Sequence, residues 1–398
     1  MNASKTFDIR QAESSDPANL LLGNYAFSSS PKIRNKEEEE KILQQRSDDV
    51  TFHSRIDGEA VAKVGVIPMT QNVRGSVLPM GGIGGVCSMP VARRGGHIRA
   101  LMQTAIEHMH QQGQVVSALY PFKTSYYEMF GYAGWQVPMW AHIEPAALAP
   151  YMKLSKHGTV KQRLSGDAKD EFYAFLQDAQ SRHHGMSCHP RVRFDNGVDR
   201  HPTWFMSVHE GDQITGGICY KLDLTKEVME APAVFWSTNN AMTHILDFMA
   251  RHVDQVKKIT MPVKDGQHPH LWTTDDFRIT VLSNDDLSWG APMARVVDVA
   301  GLSGIGAGEG TATIRIRDDQ APWNNGTWTF SSENGTLVVT DGGESDEEVT
   351  INGLSALVFS GMDPNLLPFR GWGSVSEQTA TALRSLFPPV VPYLHELF

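Results

Sequence analysis

Polar and apolar residues alternate in short runs over the first quarter of the chain, and a helical pattern follows them. Two of the runs flank Asp57-Gly58, a typical hairpin turn. Apolar residues then recur three and four positions apart from Ile98 to Met109, which predicts a helix with one buried face that ends near Gly113. This order of strands, helix and strand favours an α+β domain. The predicted strands are 7–10, 51–56, 60–68, 76–79, 84–91 and 115–120.

The rest of the chain shows two further patterns. From about residue 146, helical stretches at 168–180 and 239–253 accompany strands at 203–209 and 213–223. After residue 287, short apolar runs alternate with Asn-Gly, Gly-Gly and Asp-Gly turns, which predicts a small sheet covered by helices. Its strands would be 293–299, 312–317, 327–330, 335–340 and 348–351, and its helices 353–359, 363–367 and 376–387. We therefore predict domains at 1–145, 146–288 and 289–398.

The net charge bears on the class of partner. The chain has 398 residues, of which 41% are hydrophobic, and a formal net charge of −10. Phosphate backbones are bound by basic surfaces, so this charge argues against nucleic acid as a partner. It suits a cationic substrate, although solubility alone also explains it.

Cysteine usage and the N-terminal residues bear on location. Cys87, Cys188 and Cys219 are odd in number and far apart, so they offer no disulfide framework. The first residues, MNASKTFDIRQAESSD, lack the apolar core of a signal peptide, and no run approaches the roughly 20 apolar residues of a membrane span. We expect a cytoplasmic protein without a membrane span, and leave secretion by an unconventional route open.

The turn from Arg93 to Ile98 carries the first candidate chemistry. A helix start has about four backbone N–H groups without intrahelical partners and a partial positive charge, and it binds phosphate well. Gly95 and Gly96 would let the backbone approach a pyrophosphate, while Arg93 and Arg94 add charged donors. The simpler alternative is a basic, glycine-containing turn before an ordinary helix.

The chain from Pro90 to Met102, PVARRGGHIRALM, is followed by Y-x-x-F-G-Y at 127–132. Together these motifs resemble the Eis-like (enhanced intracellular survival) branch of the GNAT N-acetyltransferases. Arg93, Gly96 and Ile98 fall on the family's Arg/Gln-x-x-Gly-x-Gly/Ala loop, with Ile98 departing from its final small residue. The resemblance covers the whole chain, strongly over 1–150 and loosely over the middle.

The resemblance implies an α+β fold with tandem GNAT-type domains and a C-terminal sterol-carrier-like domain. The second GNAT-type domain would be degenerate, because no phosphate loop lies between Pro232 and Asn239. It also implies a homo-hexameric, acetyl-CoA dependent N-acetyltransferase. Its acceptor would be a primary amine of a polycationic small molecule, such as an aminoglycoside, or a lysine side chain.

The resemblance further implies roles for particular residues. Tyr127 would be the general acid toward the leaving thiolate, and the main-chain carboxylate of Phe398 would be the base; Tyr126 and Tyr132 are rival acids. The alternatives are that Tyr127 only packs a short helix and that the C-terminal tail is disordered. The cofactor would contact Val86 and Ser88 through their backbone, together with Arg93, Arg94, Gly95, Gly96, His97 and Ile98.

Two other groups of residues are weaker candidates for a functional site. His183, His184, Cys188 and His189 are metal-ligand types without a second paired set at zinc spacing, so we predict a loop and no metal. The acidic run at 37–40 fits a solvated helix as well as an acceptor contact. A non-catalytic coenzyme A- or lipid-binding sensor or carrier, and a structural assembly module, are the alternative functions.

Overall fold

The computed structural model describes residues 7–27, 35–44, 49–273, 278–283, 291–396 and 398. The chain forms two compact units, and each is discontinuous in sequence. The first unit contains Met1–Trp135, Gly290–Val390 and Glu396–Phe398, and the second contains Gln136–Trp289 and Val391–His395. Helices and strands are mixed in both units, so the predicted α+β class is confirmed.

The helices and strands of the described residues are numbered here in chain order. The helices are α1 Ala18–Phe27, α2 Lys36–Gln44, α3 His97–Gln111, α4 Thr124–Glu128, α5 Lys169–Arg182, α6 Arg191–Arg200, α7 Asn239–Ala250, α8 Ile351–Ser360, α9 Leu367–Arg370 and α10 Glu377–Leu386. The strands are β1 Asp8–Ala12, β2 Val50–Ile56, β3 Glu59–Val73, β4 Ser76–Ser88, β5 Val116–Leu119, β6 Ala133–Gly134, β7 Met139–Ile143, β8 Thr159–Leu164, β9 Ser187–Cys188, β10 Trp204–Glu210, β11 Gln213–Asp223, β12 Val228–Trp236, β13 Lys258–Val263, β14 Ile279–Ser283, β15 Met293–Val296, β16 Thr311–Arg317, β17 Gly326–Glu333, β18 Thr336–Asp341 and β19 Glu348–Thr350.

The larger sheet of the first unit runs in the order β1-β2-β3-β4-β5-β15-β6. Its strands β4 and β5 are parallel and are connected through α3. Helix α3 packs its apolar face into the core of the unit, as the periodicity predicts, except that Ile98 is only half-buried. The buried apolar side chains of this face are Leu101, Met102, Ala105, Ile106 and Met109.

Strand β4 is longer than its sequence pattern indicates. The two predicted strands at 76–79 and 84–91 are one strand, because Gly81 and Gly82 continue the pairing with β3. At position 81 a Cβ would lie 2.2 Å from the sulfur of Met109, so a side chain is excluded by α3 and not by a turn. The glycine at position 81 is therefore needed for packing against α3, although in the sequence it looks like the end of a strand.

Strand β15 does not join the sheet that its sequence position suggests. The run at 293–299 was expected in the C-terminal sheet, but β15 pairs antiparallel with both β5 and β6. All four of its residues are buried, as in a central strand covered on both faces. The C-terminal sheet has the order β18-β17-β16-β19.

The second unit repeats the arrangement of the first. Its sheet runs β14-β7-β13-β12-β11-β10-β8, and the parallel pair β12 and β13 is connected through α7. Antiparallel strands therefore lead into a parallel strand-helix-strand crossover in both units. This repetition confirms the predicted tandem GNAT-type architecture.

Candidate active site

The start of α3 is open toward ligand. Gly96 precedes the helix at φ 85°, and no side chain caps the first turn. A Cβ at Gly96 would meet nothing within 4 Å, so space surrounds this backbone. Arg93 and Arg94 are exposed, and Arg94 itself has φ 63°. Exposed guanidinium groups beside an open helix start are a geometry suited to an anion.

Gly95 and His97 have different environments from their neighbours in the turn. A Cβ at Gly95 would lie 2.9 Å from the ring of His97, so this glycine leaves room for a side chain of the fold. The His97 ring is buried, with Nδ1 2.8 Å from Ser54 Oγ and its centroid 4.2 Å from the ring of Phe7. Burial lowers the pKa of His97, so the ring is neutral at neutral pH. Only the backbone of His97 is therefore left for a ligand.

Strands β4 and β5 separate in front of this turn. Their ladder ends with the pair Gly82 and Ala118, while β4 continues to Ser88. A β-bulge places Gly85 and Val86 opposite the single residue Val64, which changes the direction of the β4 backbone. Val86 and Ser88 lie beyond the end of the ladder, so their backbone groups on the β5 side lack a strand partner there. Such groups are available to an extended ligand.

The C-terminal residue lies against this opening. The ring of Phe398 contacts the strand at Gly82, where a Cβ would be 3.1 Å from its Cδ2 and Cε2 atoms. The carboxyl carbon of Phe398 would be 3.4 Å from a Cβ at Gly84. On the β5 side, the Tyr120 ring meets Phe398 edge-on at 5.9 Å between centroids. Two glycines of β4 therefore make room for the chain terminus.

The residues before the terminus are also packed. Within the second unit, the amide of Tyr393 donates to the carbonyl of His184 at 2.9 Å. Gly185, at φ 82°, lies so close that a Cβ would be 2.8 Å from both Pro392 Cβ and Tyr393 N. The Nζ atom of Lys264 lies 5.3 Å from the Tyr393 ring centroid. Residues 391–395 are thus held by backbone and side-chain contacts.

The three tyrosines of the motif occupy different environments. Tyr127 is 3% exposed and lies on the short helix α4. Tyr126 is half-buried beside it, at 5.5 Å between ring centroids. Tyr132 is fully buried, and its hydroxyl lies 2.7 Å from Ser117 Oγ. Ser117 gives its one hydrogen to the Gly81 carbonyl, so Tyr132 must be the donor to Ser117.

Comparison with family models identifies two segments. Residues 8–134 match the acetyltransferase (GNAT) domain, and residues 299–395 match the sterol carrier protein domain. The chain therefore contains a GNAT acetyltransferase domain. The predicted combination of a GNAT domain with a C-terminal sterol-carrier-like domain is confirmed. Comparison with curated protein sequences gave no match.

Solved structures share the fold over the whole chain. A GCN5-related N-acetyltransferase from Anabaena variabilis is 20% identical, with a TM-score of 0.83 over 98% of this chain and 100% of that one. One from Kribbella flavida is 18% identical, with a TM-score of 0.83 and full coverage of both chains. Eis1 from Mycobacterium abscessus is 18% identical, with a TM-score of 0.76 over 99% of this chain and 100% of that one. The Eis-like resemblance thus extends to the fold.

The corresponding helix of the second GNAT-type unit is closed to anions. Helix α7 begins after Thr238, whose Oγ1 accepts the amide hydrogen of Ala241 at 3.0 Å. The same hydroxyl donates to Glu210 at 2.6 Å, and Thr215 donates to the same carboxylate at 2.8 Å. Hydrogen bonds from Thr238, then Thr215 and Asn240, lower the pKa of Glu210 to about 2. A carboxylate therefore already lies at this helix start, and it would repel phosphate.

Electrostatics within the GNAT domain favour protonated phenols. Burial raises the pKa of Tyr127, and the neighbouring Tyr132 and Tyr126 raise it further. Burial also raises the pKa of Tyr132 to about 12, against the opposing effects of Ser117 and Arg295. The Tyr127 hydroxyl is thus protonated at neutral pH.

Two residues near the GNAT opening were not predicted from sequence. Burial raises the pKa of Tyr120, and the negative charge of Glu396 raises it further. Tyr120 ends the predicted strand at 115–120, and Glu396 lies in the apolar tail. Neither belongs to a motif, and they lie far apart in the sequence.

The histidines near Cys188 and the acidic run at 37–40 have no part in this site. Over the ranges that the structure covers, no group of three or more His, Cys, Asp or Glu side chains could hold a metal, and the histidines near Cys188 are included in this finding. The acidic run at 37–40 lies in α2, where its side chains are exposed or half-buried. None of the helices in the described ranges has the length and apolar character needed to cross a membrane.

Proposed function

We propose that this protein is an acetyl-CoA dependent N-acetyltransferase for primary amines of a polycationic small molecule, such as an aminoglycoside, or of a lysine side chain. One observation carries the proposal. The carboxylate of Phe398 lies over Gly84, where β4 and β5 separate, in the same compact unit as Tyr127 and the turn before α3. A base, an acid and an anion-binding turn are the parts that acyl transfer from a thioester to an amine requires.

Acetyl-CoA would supply an activated acetyl group as its thioester. The exposed guanidinium groups of Arg93 and Arg94 and the amides from Gly96 to Ile98 would hold its pyrophosphate. The backbone of Val86 and Ser88, beyond the end of the β4–β5 ladder, would bind the pantetheine and the thioester carbonyl. Gly95 would act indirectly, since it makes room for the buried His97 ring.

The base would act on the acceptor amine, and the acid would act on the leaving sulfur. The Phe398 carboxylate accepts a proton from the acceptor ammonium group, which leaves a neutral amine that can attack the acetyl carbon. As the new C–N bond forms and the C–S bond breaks, the Tyr127 hydroxyl gives its proton to the departing sulfur. The nitrogen loses its surplus proton to solvent as the amide forms, and a proton from solvent restores the Tyr127 phenol. Tyr127 suits this task better than Tyr132, whose hydrogen is already committed to Ser117.

The charge around the opening supports a cationic acceptor. The Phe398 carboxylate and the nearby Glu396 would both attract an ammonium group, and the net charge of −10 would favour its approach. A polyamine-like molecule with several amines, or an exposed lysine, has the required charge. An anionic or neutral acceptor would gain nothing from these groups.

The remaining proposals rest on the family resemblance. We place the boundaries of the domains at 1–145, 146–288 and 289–398, and propose a cytoplasmic homo-oligomer, a hexamer by analogy with Eis-like proteins. Light scattering of the purified chain tests the assembly. A mass near the 44.0 kDa of one chain would exclude it.

Thiol release from acetyl-CoA, measured with aminoglycosides, polyamines, lysine-containing peptides and no amine, tests the function. We expect release with a cationic amine, and a fall in kcat of roughly 10²-fold for Tyr127→Phe. Tyr126→Phe is the matched control, because Tyr126 is the half-exposed neighbour. A loss with Tyr126→Phe alone would move the acid to Tyr126. Binding of acetyl-CoA without release to any amine would favour the sensor or carrier alternative.

A further inference from the structure

The turn that follows Tyr127 is held from outside the GNAT domain. Asn352, in the first turn of α8, points its side-chain amide at this turn. Its Nδ2 atom donates to the carbonyl oxygen of Glu128 at 2.9 Å and to that of Tyr132 at 3.0 Å. One amide of the sterol-carrier-like segment thus joins the two ends of the turn.

Two more side chains hold the middle of the same turn. Arg295 is fully buried in β15, and its Nη1 donates to the carbonyl of Phe130 at 2.6 Å. Its Nη2 donates to the buried carboxylate of Asp318 at 2.6 Å, which fixes the direction of the guanidinium plane. Gln320 Nε2 donates to the carbonyl of Met129 at 3.2 Å. We call Arg295, Gln320 and Asn352 the brace.

The brace adds to the hydrogen bonds that the turn makes within itself. Inside the turn, the amide of Phe130 donates to the Tyr127 carbonyl at 2.9 Å, that of Gly131 to the Glu128 carbonyl at 3.1 Å, and that of Tyr132 to the Tyr127 carbonyl at 3.4 Å. Gly131 takes a positive φ of 84°. A Cβ at Gly131 would lie 2.7 Å from Ile351 Cγ2 and 3.0 Å from Arg295 Nη1, so the brace side is tightly packed. Four of the five carbonyls from 128 to 132 therefore accept hydrogen bonds from the brace.

We propose that the brace holds Tyr127 in the orientation needed to protonate the leaving sulfur, which makes the sterol-carrier-like segment a working part of the active site. Its members are positioning residues, since they act through the backbone of the turn and not on substrate. The proposal rests on the proposed function, because it concerns the same proton transfer. A misplacement of about 1 Å in a catalytic group costs as much as ~10²-fold in rate, so loss of part of the brace has a measurable effect.

Asn352 is the member to change, because it is half-buried and its removal leaves no buried charge. We expect Asn352→Ala to lower kcat about 10-fold, with unchanged KM for acetyl-CoA. Asn352→Asp should lower kcat at least as much, although a carboxylate in the first turn of α8 favours the helix itself. Asn365→Ala is the matched control, since Asn365 is exposed in the same segment and its side-chain amide donates to the exposed Glu377 at 3.4 Å.

Two further measurements separate positioning from general stability. In a Tyr127→Phe background, Asn352→Ala should produce no additional loss of kcat, because the residue acts through the phenol. Hydrogen–deuterium exchange of peptides covering 127–134 should become faster in Asn352→Ala and stay unchanged in Asn365→Ala. Additive losses of kcat, or exchange in 127–134 that equals wild type, would overturn the proposal.

The exchange measurement also separates this proposal from the proposed function. If wild type transfers acetyl to no amine, the proposed function fails, and exchange still decides whether the turn is held by Asn352. If wild type is active and Asn352→Asp keeps full kcat, the function stands and the brace is refuted.

Discussion

The C-terminal carboxylate offers the sharpest test of the proposed chemistry, because one functional group can be changed without altering a side chain. Semisynthesis can supply the chain with Phe398 ending in a carboxamide instead of a carboxylate. The amide has nearly the same size, so the ring should keep its contacts with Gly82 and Tyr120. The negative charge beside Gly84 is lost, and with it the proposed base.

The magnitude follows from the role of the group. Removal of a positioned general base typically costs 10²- to 10⁴-fold in rate, which is about 3 to 5 kcal/mol at ~1.36 kcal/mol for each tenfold. We expect kcat to fall by at least about 10²-fold, with the dissociation constant for acetyl-CoA and the thermal midpoint unchanged. A chain with one extra glycine should be equally impaired, because one residue moves the carboxylate by up to ~3.5 Å. In the unmodified chain the carboxyl carbon is 3.4 Å from the position of a Cβ at Gly84. A shift of similar size would therefore take the carboxylate away from this place beside β4.

Thiol release with a saturating cationic amine is the assay. The control is a chain ligated by the same route with a free carboxylate, so that any effect of the semisynthesis appears in both. An amide-terminated chain that turns over at the control rate would remove the terminal carboxylate from the mechanism. Impairment of the extended chain alone would indicate steric blockage of the opening and not loss of a base.

Two further predictions concern contacts that hold the site together. Asp318→Ala leaves the guanidinium of Arg295 buried without its carboxylate, which should cost about 3–5 kcal/mol and lower the thermal midpoint by roughly 6–20 °C, measured by calorimetry; the exposed neighbour Asp319→Ala should change it little, and equal midpoints would contradict this account. Gly185→Ala should loosen residues 391–395 and speed release of the C-terminal residues by carboxypeptidase, whereas Gly211→Ala, also at positive φ but with nothing within 4 Å, should not. Equal release from the two variants would show that Gly185 does not hold the tail.

Sequence patterns predicted those parts of the site whose residues are close together in the chain. The helix from Ile98 to Met109 follows from the spacing of its apolar residues, and its glycine-rich start from the turn before it. Both depend on contacts within about 20 residues. The resemblance to Eis-like proteins then singled out Tyr127 and Phe398, which no local rule connects.

Partners that lie far apart in the chain were beyond the reach of these patterns. The sequence pattern predicts a β-strand at β15, but it does not indicate which sheet this strand joins. The choice among three tyrosines depends on Ser117, which commits the hydroxyl of Tyr132 as a donor. The charge of Glu396 raises the pKa of Tyr120, although the two residues lie far apart in the sequence. Pairings of this kind are set by tertiary packing and leave no periodic signal.

The same long-range pairing means that the GNAT domain is incomplete without the C-terminal segment. The family match ends at residue 134, yet β5 and β6 within it do not pair with each other, because β15 lies between them. A domain cut at that boundary would expose the edges of both strands. It would also lose the side chains that hold the turn after Tyr127, and the carboxylate that lies over Gly84. The chain from residue 291 onward thus supplies a central strand, the support of the proposed acid and the proposed base, and these contributions explain its retention without a separate lipid-binding activity.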